Sequence, residues 1–172
     1  MIQIALDVIP ISPEQPLRAL DLGVGTGYFT EKFLQRYTNA QVCAIDGAAA
    51  MVDLATARLG SLAERVRFHV GDFRNLSQLL AGDEFDVAFS SYALHHLGRD
   101  DKESLLRQVR NRLRPGGWFL NADILVADEP EIERRIQEIR VNGIVRRARD
   151  VRFVDAKATR SFLDRLEAAD GD

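Results

Sequence analysis

Apolar residues along this chain alternate between two rhythms. Short continuous apolar runs bounded by turn-forming residues fall at about 17–22 (LRALDL), 40–45 (AQVCAI), 66–70 (VRFHV), 85–90 (FDVAFS) and 117–124 (GWFLNADI). Runs of this length predict buried strands. Between them, segments at about 27–37, 48–60, 75–81 and 101–113 carry apolar residues at helical spacing. The last shows it best: Leu105, Leu106, Val109 and Leu113 recur at three- and four-residue steps, and Pro115-Gly116-Gly117 closes the segment. Strands alternating with helices predict βαβ units joined by right-handed crossovers, and hence a doubly wound α/β sheet. Ligands of such sheets bind beyond the carboxyl ends of the strands, where the strand order reverses, so the residues just after each strand are the informative ones.

From about residue 128 the rhythm changes. "EPEIERRIQEIRVNGIVRRARD" predicts a helix with Ile132, Ile136 and Ile139 on one face, broken near Asn142-Gly143, and "DAKATRSFLDRLEAADGD" predicts another at about 155–168. Residues 1–127 therefore read as a core, and 128–172 as a helical tail of the same domain and a candidate lid. The tail's arginines (Arg134, Arg135, Arg140, Arg146, Arg147, Arg149 and Arg152) are interleaved with acids. Such a pattern reads as a solvated, ion-paired face; in a lid the same guanidinium groups could hold an acidic substrate.

Composition narrows the partners. A chain of 172 residues, 46% hydrophobic and 28% charged, suits one soluble globular domain. A net charge of −3 lacks the basic excess of a protein that grips a phosphate backbone, which argues against nucleic acid. With Cys43 as its one cysteine the chain has no internal disulfide, and no Cys/His cluster has zinc spacing, so no metal site is expected and a cytoplasmic location fits. The start "MIQIALDVIP" lacks a basic leader, and no apolar run approaches the roughly 20 residues of a membrane span, so no membrane partner is expected.

The candidate chemistry begins at "DLGVGTGYFT", Asp21 to Thr30. A dinucleotide loop spaces its glycines G-x-G-x-x-G; here the third such position is Tyr28, and Gly23, Gly25 and Gly27 stand at every second residue. No phosphate-binding lysine follows. Asp21, ending the first strand and read as pointing into the crevice, would repel a pyrophosphate and attract a cation.

With that acid in place, the loop resembles the first motif of the class I S-adenosylmethionine-dependent methyltransferases, acid-x-Gly-x-Gly-x-Gly. Further matches follow in order: "CAIDG" ending in Asp46 and Gly47, "DGAAAM" with Met51, "GDF" with Asp72 and Phe73, "FDVAFSSYALHHL" with Ser90, and "LRPGGWF" before the fifth strand. The resemblance covers about residues 17–124. It implies a Rossmann-like, mostly parallel sheet with helices on both faces. It also implies S-adenosyl-L-methionine as cofactor, leaving as S-adenosyl-L-homocysteine. The glycines would let the backbone approach the methionine part, and Asp21 would balance its positive groups. Asp46 would accept the ribose hydroxyls, Met51 would lie on the adenine, Asp72 would meet the adenine amino group beside Phe73, and Ser90 would lie near the methionine end.

His95 and His96 follow the fourth strand, where the transferred methyl should lie, and either could be a general base. Tyr28 and Tyr92 flank the crevice as candidate substrate contacts, whereas Trp118 and Cys43 read as core residues. The fourth-strand motif lacks the Asn/Asp-Pro-Pro-aromatic run of base-amine methyltransferases, and near the methyl only the carboxylate of Asp123 is evident, too few for a metal-dependent catechol type. The expected reaction is methyl transfer to an O, N or C nucleophile of a small molecule. The alternative is an S-adenosylmethionine-binding partner or sensor without turnover. A nicotinamide oxidoreductase is a third reading, opposed by Asp21. The family's closing antiparallel strand pair is not found here, so either the gene product is longer than this chain or tail helices or a homodimer partner cover the sheet edge.

Overall fold

The alternating pattern folds as one sheet. In the computed structural model, residues 2–123 and 129–147 are described. Their contacts divide into two units, Met1–Ile124 and Leu125–Asp172. The first unit runs α1 (Ile2–Asp7), β1 (Leu17–Leu22), α2 (Tyr28–Arg36), β2 (Ala40–Asp46), α3 (Ala49–Leu59), β3 (Val66–Val70), α4 (Leu76–Leu79), β4 (Phe85–Ser91), α5 (Arg99–Arg110) and β5 (Leu113–Ala122), with short 3-10 turns between. The strands pair in parallel in the order β3-β2-β1-β4-β5. The order reverses between β1 and β4, which opens the crevice at the carboxyl ends of those two strands.

Both faces of the sheet are covered, and strand parity decides which residues go where. Ala19 of β1 and Val87 and Phe89 of β4 join Phe29, Phe33 and Tyr37 of the α2 segment in one core. Leu20 and Leu22 turn the other way, to Leu76, Leu105 and Val109 of α4 and α5. Phe89 stacks at 4.5 Å from Phe29 and 4.9 Å from Phe33, ring centre to ring centre. Burying each such ring contributes roughly 1.5–3 kcal/mol, so this cluster anchors α2, and with it the loop between β1 and α2.

Several predicted boundaries shift for local reasons. β5 begins at Leu113 and α5 ends at Arg110, so Leu113 is a strand residue, not the last position of the helix face. Pro115-Gly116-Gly117 lies inside the β5 segment, where the pairing register with β4 slips between Phe85 and Val87 and Gly116 takes φ +80°. The predicted helix at 75–81 shortens to one α-turn, Leu76–Leu79, and a 3-10 turn, Phe73–Asn75, precedes it, capped by the Asp72 carboxylate, which accepts the Arg74 amide at 2.9 Å. Trp118 is not a core residue but is 39% exposed on β5; Cys43 is buried.

The second unit holds α6, Pro130–Arg147. It passes through Asn142-Gly143 without the predicted break. A mid-helix glycine costs only about 1 kcal/mol, and Arg134 braces the helix by pairing with Glu131 at 2.5 Å and Glu138 at 2.7 Å. The predicted helix at 155–168 lies outside the described residues. No helix among the described residues is long and apolar enough to cross a membrane.

Candidate functional site

The site starts where β1 stops. Gly23, Gly25 and Gly27 all have positive φ, +78°, +50° and +78°, so the chain coils through a conformation that side chains disfavour. The Gly23 and Val24 amides donate to the Ile45 carbonyl at 2.9 and 3.0 Å, which ties the loop to β2. The three glycines then differ in what surrounds them. A Cβ on Gly23 would collide with the Ala93 Cβ, and one on Gly27 would stand 3.0 Å from Ala55. A Cβ on Gly25 would meet nothing within 4 Å. The outer pair is therefore required by close packing, and the middle glycine borders open space where a ligand can reach the backbone.

A carboxylate stands at that opening. Asp46, ending β2, accepts the Gly25 amide at 2.8 Å on one oxygen and the Ala48 amide at 2.9 Å on the other. Each oxygen keeps a lone pair for a further donor, so the group is fixed in place without being saturated. Met51 in the first turn of α3 is 38% exposed, and Val70, paired in register with Asp46, is 55% exposed; both leave apolar surface at this edge. Asp72 follows β3, and the Arg74 guanidinium donates to it from Nε at 2.7 Å. Those hydrogen bonds from Arg74 hold the Asp72 carboxyl below its ordinary value. Arg74 also reaches Asp101 at 3.2 Å, joining this turn to α5. The Phe73 ring lies toward the glycine loop, 3.6 Å from where a Cβ of Gly23 would stand.

Two predicted residues sit deeper than expected. Asp21 is 1% exposed, and its carboxylate accepts the Thr30 hydroxyl, so it is enclosed under the loop and does not lie open in the crevice. The cause is parity: Asp21 shares the face of Ala19, which α2 covers. Burial pushes its pKa up to about 7, against the opposing Thr30 hydrogen bond. Ser90 is fully buried and its hydroxyl donates to the Leu22 carbonyl at 2.8 Å, bracing β4 against β1 at the switch point.

The other side of the opening is made by the ends of β4 and β5. Tyr92, 53% exposed, has φ +53°, the one non-glycine with positive φ among the described residues. Its amide donates to the Ala122 carbonyl at 3.2 Å. Strain of this kind clusters at functional sites. Tyr28 starts α2, 49% exposed, with Lys32 and Arg58 over its ring. In the 3-10 turn Leu94–His96, the two predicted histidines diverge. His96 is exposed. His95 is half-buried, with Nδ1 2.6 Å from Oδ1 of Asp123, whose Oδ2 accepts the His95 amide at 3.0 Å. That partnership was missed in the sequence; an acid immediately after the fifth strand, on the same edge as a histidine after the fourth, is the signal that could have found it.

A parallel sheet of this order, with a triple-glycine turn after β1 and acids near the carboxyl ends of β1, β2 and β3, defines the class I methyltransferase architecture. The chain matches the methyltransferase domain family over residues 19–117 and belongs to it. It is 35% identical over 132 residues to an uncharacterized methyltransferase of Anoxybacillus flavithermus, which covers 77% of this chain and 58% of that one. It also resembles the solved DhpI–SAH complex at TM-score 0.51 and 30% identity, over 60% of this chain and 48% of that one. An O-methyltransferase family protein from Burkholderia thailandensis shares the fold at TM-score 0.66 and 18% identity, over 82% of this chain and 42% of that one. The chain spans about half the length of the curated relatives it matches.

Proposed function

We propose that the chain binds S-adenosylmethionine at the carboxyl edge of β1, β2 and β3 and directs its methyl group to an O, N or C nucleophile of a small molecule, releasing S-adenosylhomocysteine. The observation that carries this reading is the open space at Gly25 beside a carboxylate, Asp46, that is held by two amides yet retains acceptor capacity. A neutral ribose diol fits that pairing. A pyrophosphate does not, because the Asp46 carboxylate would repel it and the glycine loop's own residues supply no cation.

The residues divide the ligand among them. Gly23, Gly25 and Gly27 present backbone to the methionine part, with Ser90 fixing the strand end beneath it. Met51 and Phe73 take the adenine ring, and Asp72 its amino group. Asp21, enclosed under the loop, acts through the Thr30 hydroxyl, which ties the end of β1 to α2. S-adenosylmethionine supplies a methyl group already activated by its sulfonium, so what remains for the protein is to hold the acceptor in line with it. Tyr28 and Tyr92, both half exposed at the rim, form the walls of the acceptor space. Among the described residues β5 ends the sheet with one edge unpaired, which supports a second copy covering that edge.

The test is a labelled methyl donor mixed with the protein and a cell extract, then separated by size. Label appearing in small molecules, together with S-adenosylhomocysteine, is the expected result. Label confined to protein or nucleic acid would overturn the acceptor class, and no release of S-adenosylhomocysteine would favour a binding protein without turnover.

A further inference from the structure

Four observations converge at the ends of β4 and β5. The Asp123 side chain is 4% exposed, and it takes both the backbone amide and the ring Nδ1 of His95. An ionised carboxylate only accepts, so the Nδ1 facing it must carry the proton. The neutral ring then has its lone pair on Nε2, turned away from the carboxylate. The turn that carries this ring is fixed against the cofactor loop, since Ala93, two residues before His95, occupies the space that a Cβ on Gly23 would need.

We infer that Asp123 is a positioning residue that holds His95 as the proton acceptor of the site, and that the methyl acceptor is therefore a protic nucleophile, a hydroxyl or a neutral amine, not a preformed carboxylate anion. This rests on the methyltransferase reading above. As the acceptor's oxygen or nitrogen bonds to the methyl carbon, its proton passes to Nε2 of His95, and the electron pair of the sulfur–carbon bond stays on sulfur, which leaves neutral. The Asp123 carboxylate then faces the imidazolium. Among the described residues, the titratable groups placed against His95 are Asp123 from the end of β5 and His96 from its own turn, the latter ring 3.9 Å away centre to centre. His96, exposed and tilted at 44° to His95, stacks on the pair without replacing Asp123.

The test needs no acceptor. Nitrogen-15 NMR of the imidazoles in the folded protein reads the tautomer directly, and His95→Gln assigns the signals. The expected result is His95 in the Nδ1–H form in the wild type. In Asp123→Asn the His95 ring nitrogen signals should shift with the change of partner at Nδ1, while those of His96 move less. An Nε2–H tautomer in the wild type, or His95 ring signals unmoved in Asp123→Asn, would overturn the inference. The wild-type tautomer decides even if the Asn variant does not fold. Calorimetry of the same samples with S-adenosylhomocysteine separates the two readings: wild-type binding with the wrong tautomer sinks the dyad alone, and no wild-type binding sinks the cofactor site. Once an acceptor is in hand, His95→Gln should lower kcat by a hundredfold or more with little change in cofactor affinity, and an acceptor proved to be a carboxylate would contradict the substrate class.

Discussion

The two sides of the crevice are made of different material. On the β1–β2 side the walls are main chain: glycines of positive φ, amides tied to Ile45 and Asp46, and packing so close that Ala93 and Ala55 leave no room for a side chain. On the β4–β5 side they are side chains: Tyr92 in a strained conformation, and His95 held by Asp123. A backbone wall recognises what is common to every reaction of a family, because few sequences can build it. A side-chain wall can be changed residue by residue without disturbing the fold, and it is where acceptor choice can reside.

The contrast can be broken most forcefully at Gly23. Gly23→Ala should cost about 3 kcal/mol in urea unfolding, from left-handed strain plus overpacking against Ala93. Adding Ala93→Gly should recover the packing part only. A Gly23→Ala protein of wild-type stability would show that the backbone wall is not close-packed.

Next comes Asp46. Asp46→Asn keeps the shape but removes the charge, and S-adenosylhomocysteine affinity should fall roughly ten- to a hundredfold by calorimetry, the worth of one or two hydrogen bonds to a charged group. Unchanged affinity would remove Asp46 from the ribose.

Asp21 gives a smaller, pH-dependent effect. Its carboxyl titrates near 7 in the folded chain, and returns to the ordinary range, about 4, on unfolding. Between those values the folded state keeps a proton that the unfolded state has lost, so this contribution to stability is full below the window and is lost as pH rises through it. Thermal melts from pH 5 to pH 8 should therefore show a decline in the wild type that flattens in Asp21→Asn. Parallel curves would place the Asp21 titration elsewhere.

The smallest effect is expected across the crevice. Tyr92→Gly relieves positive φ but gains chain entropy in the unfolded state, two terms of about 1 kcal/mol that nearly cancel. Stability should stay within about 1 kcal/mol while acceptor turnover falls. A large loss of stability would make Tyr92 a structural residue.

The same contrast explains what could be read in the sequence. β1 and β3 stand at their predicted bounds, and Gly23, Gly25, Gly27 and Asp46 come together at one opening, because glycine spacing and strand endings are local properties of the chain. Asp21 was placed at the right strand end but at the wrong depth, since facing depends on which helix covers that parity of β1. The His95–Asp123 pair spans 28 residues and depends on β4 and β5 being neighbours, with a register slip at Phe85/Val87 that no local pattern announces. Likewise the helix predicted at 75–81 is cut to Leu76–Leu79 behind a 3-10 turn capped by Asp72, and α6 runs unbroken through Gly143, since one mid-helix glycine costs only about 1 kcal/mol.

The most direct measurement is calorimetric titration of the purified chain with S-adenosylhomocysteine, with NAD as the control nucleotide. One-to-one binding of S-adenosylhomocysteine in the micromolar range, with none of NAD, is the predicted result. Silence at millimolar S-adenosylhomocysteine, or tight binding of NAD, would contradict the assignment of the glycine turn and Asp46 to a phosphate-free nucleoside.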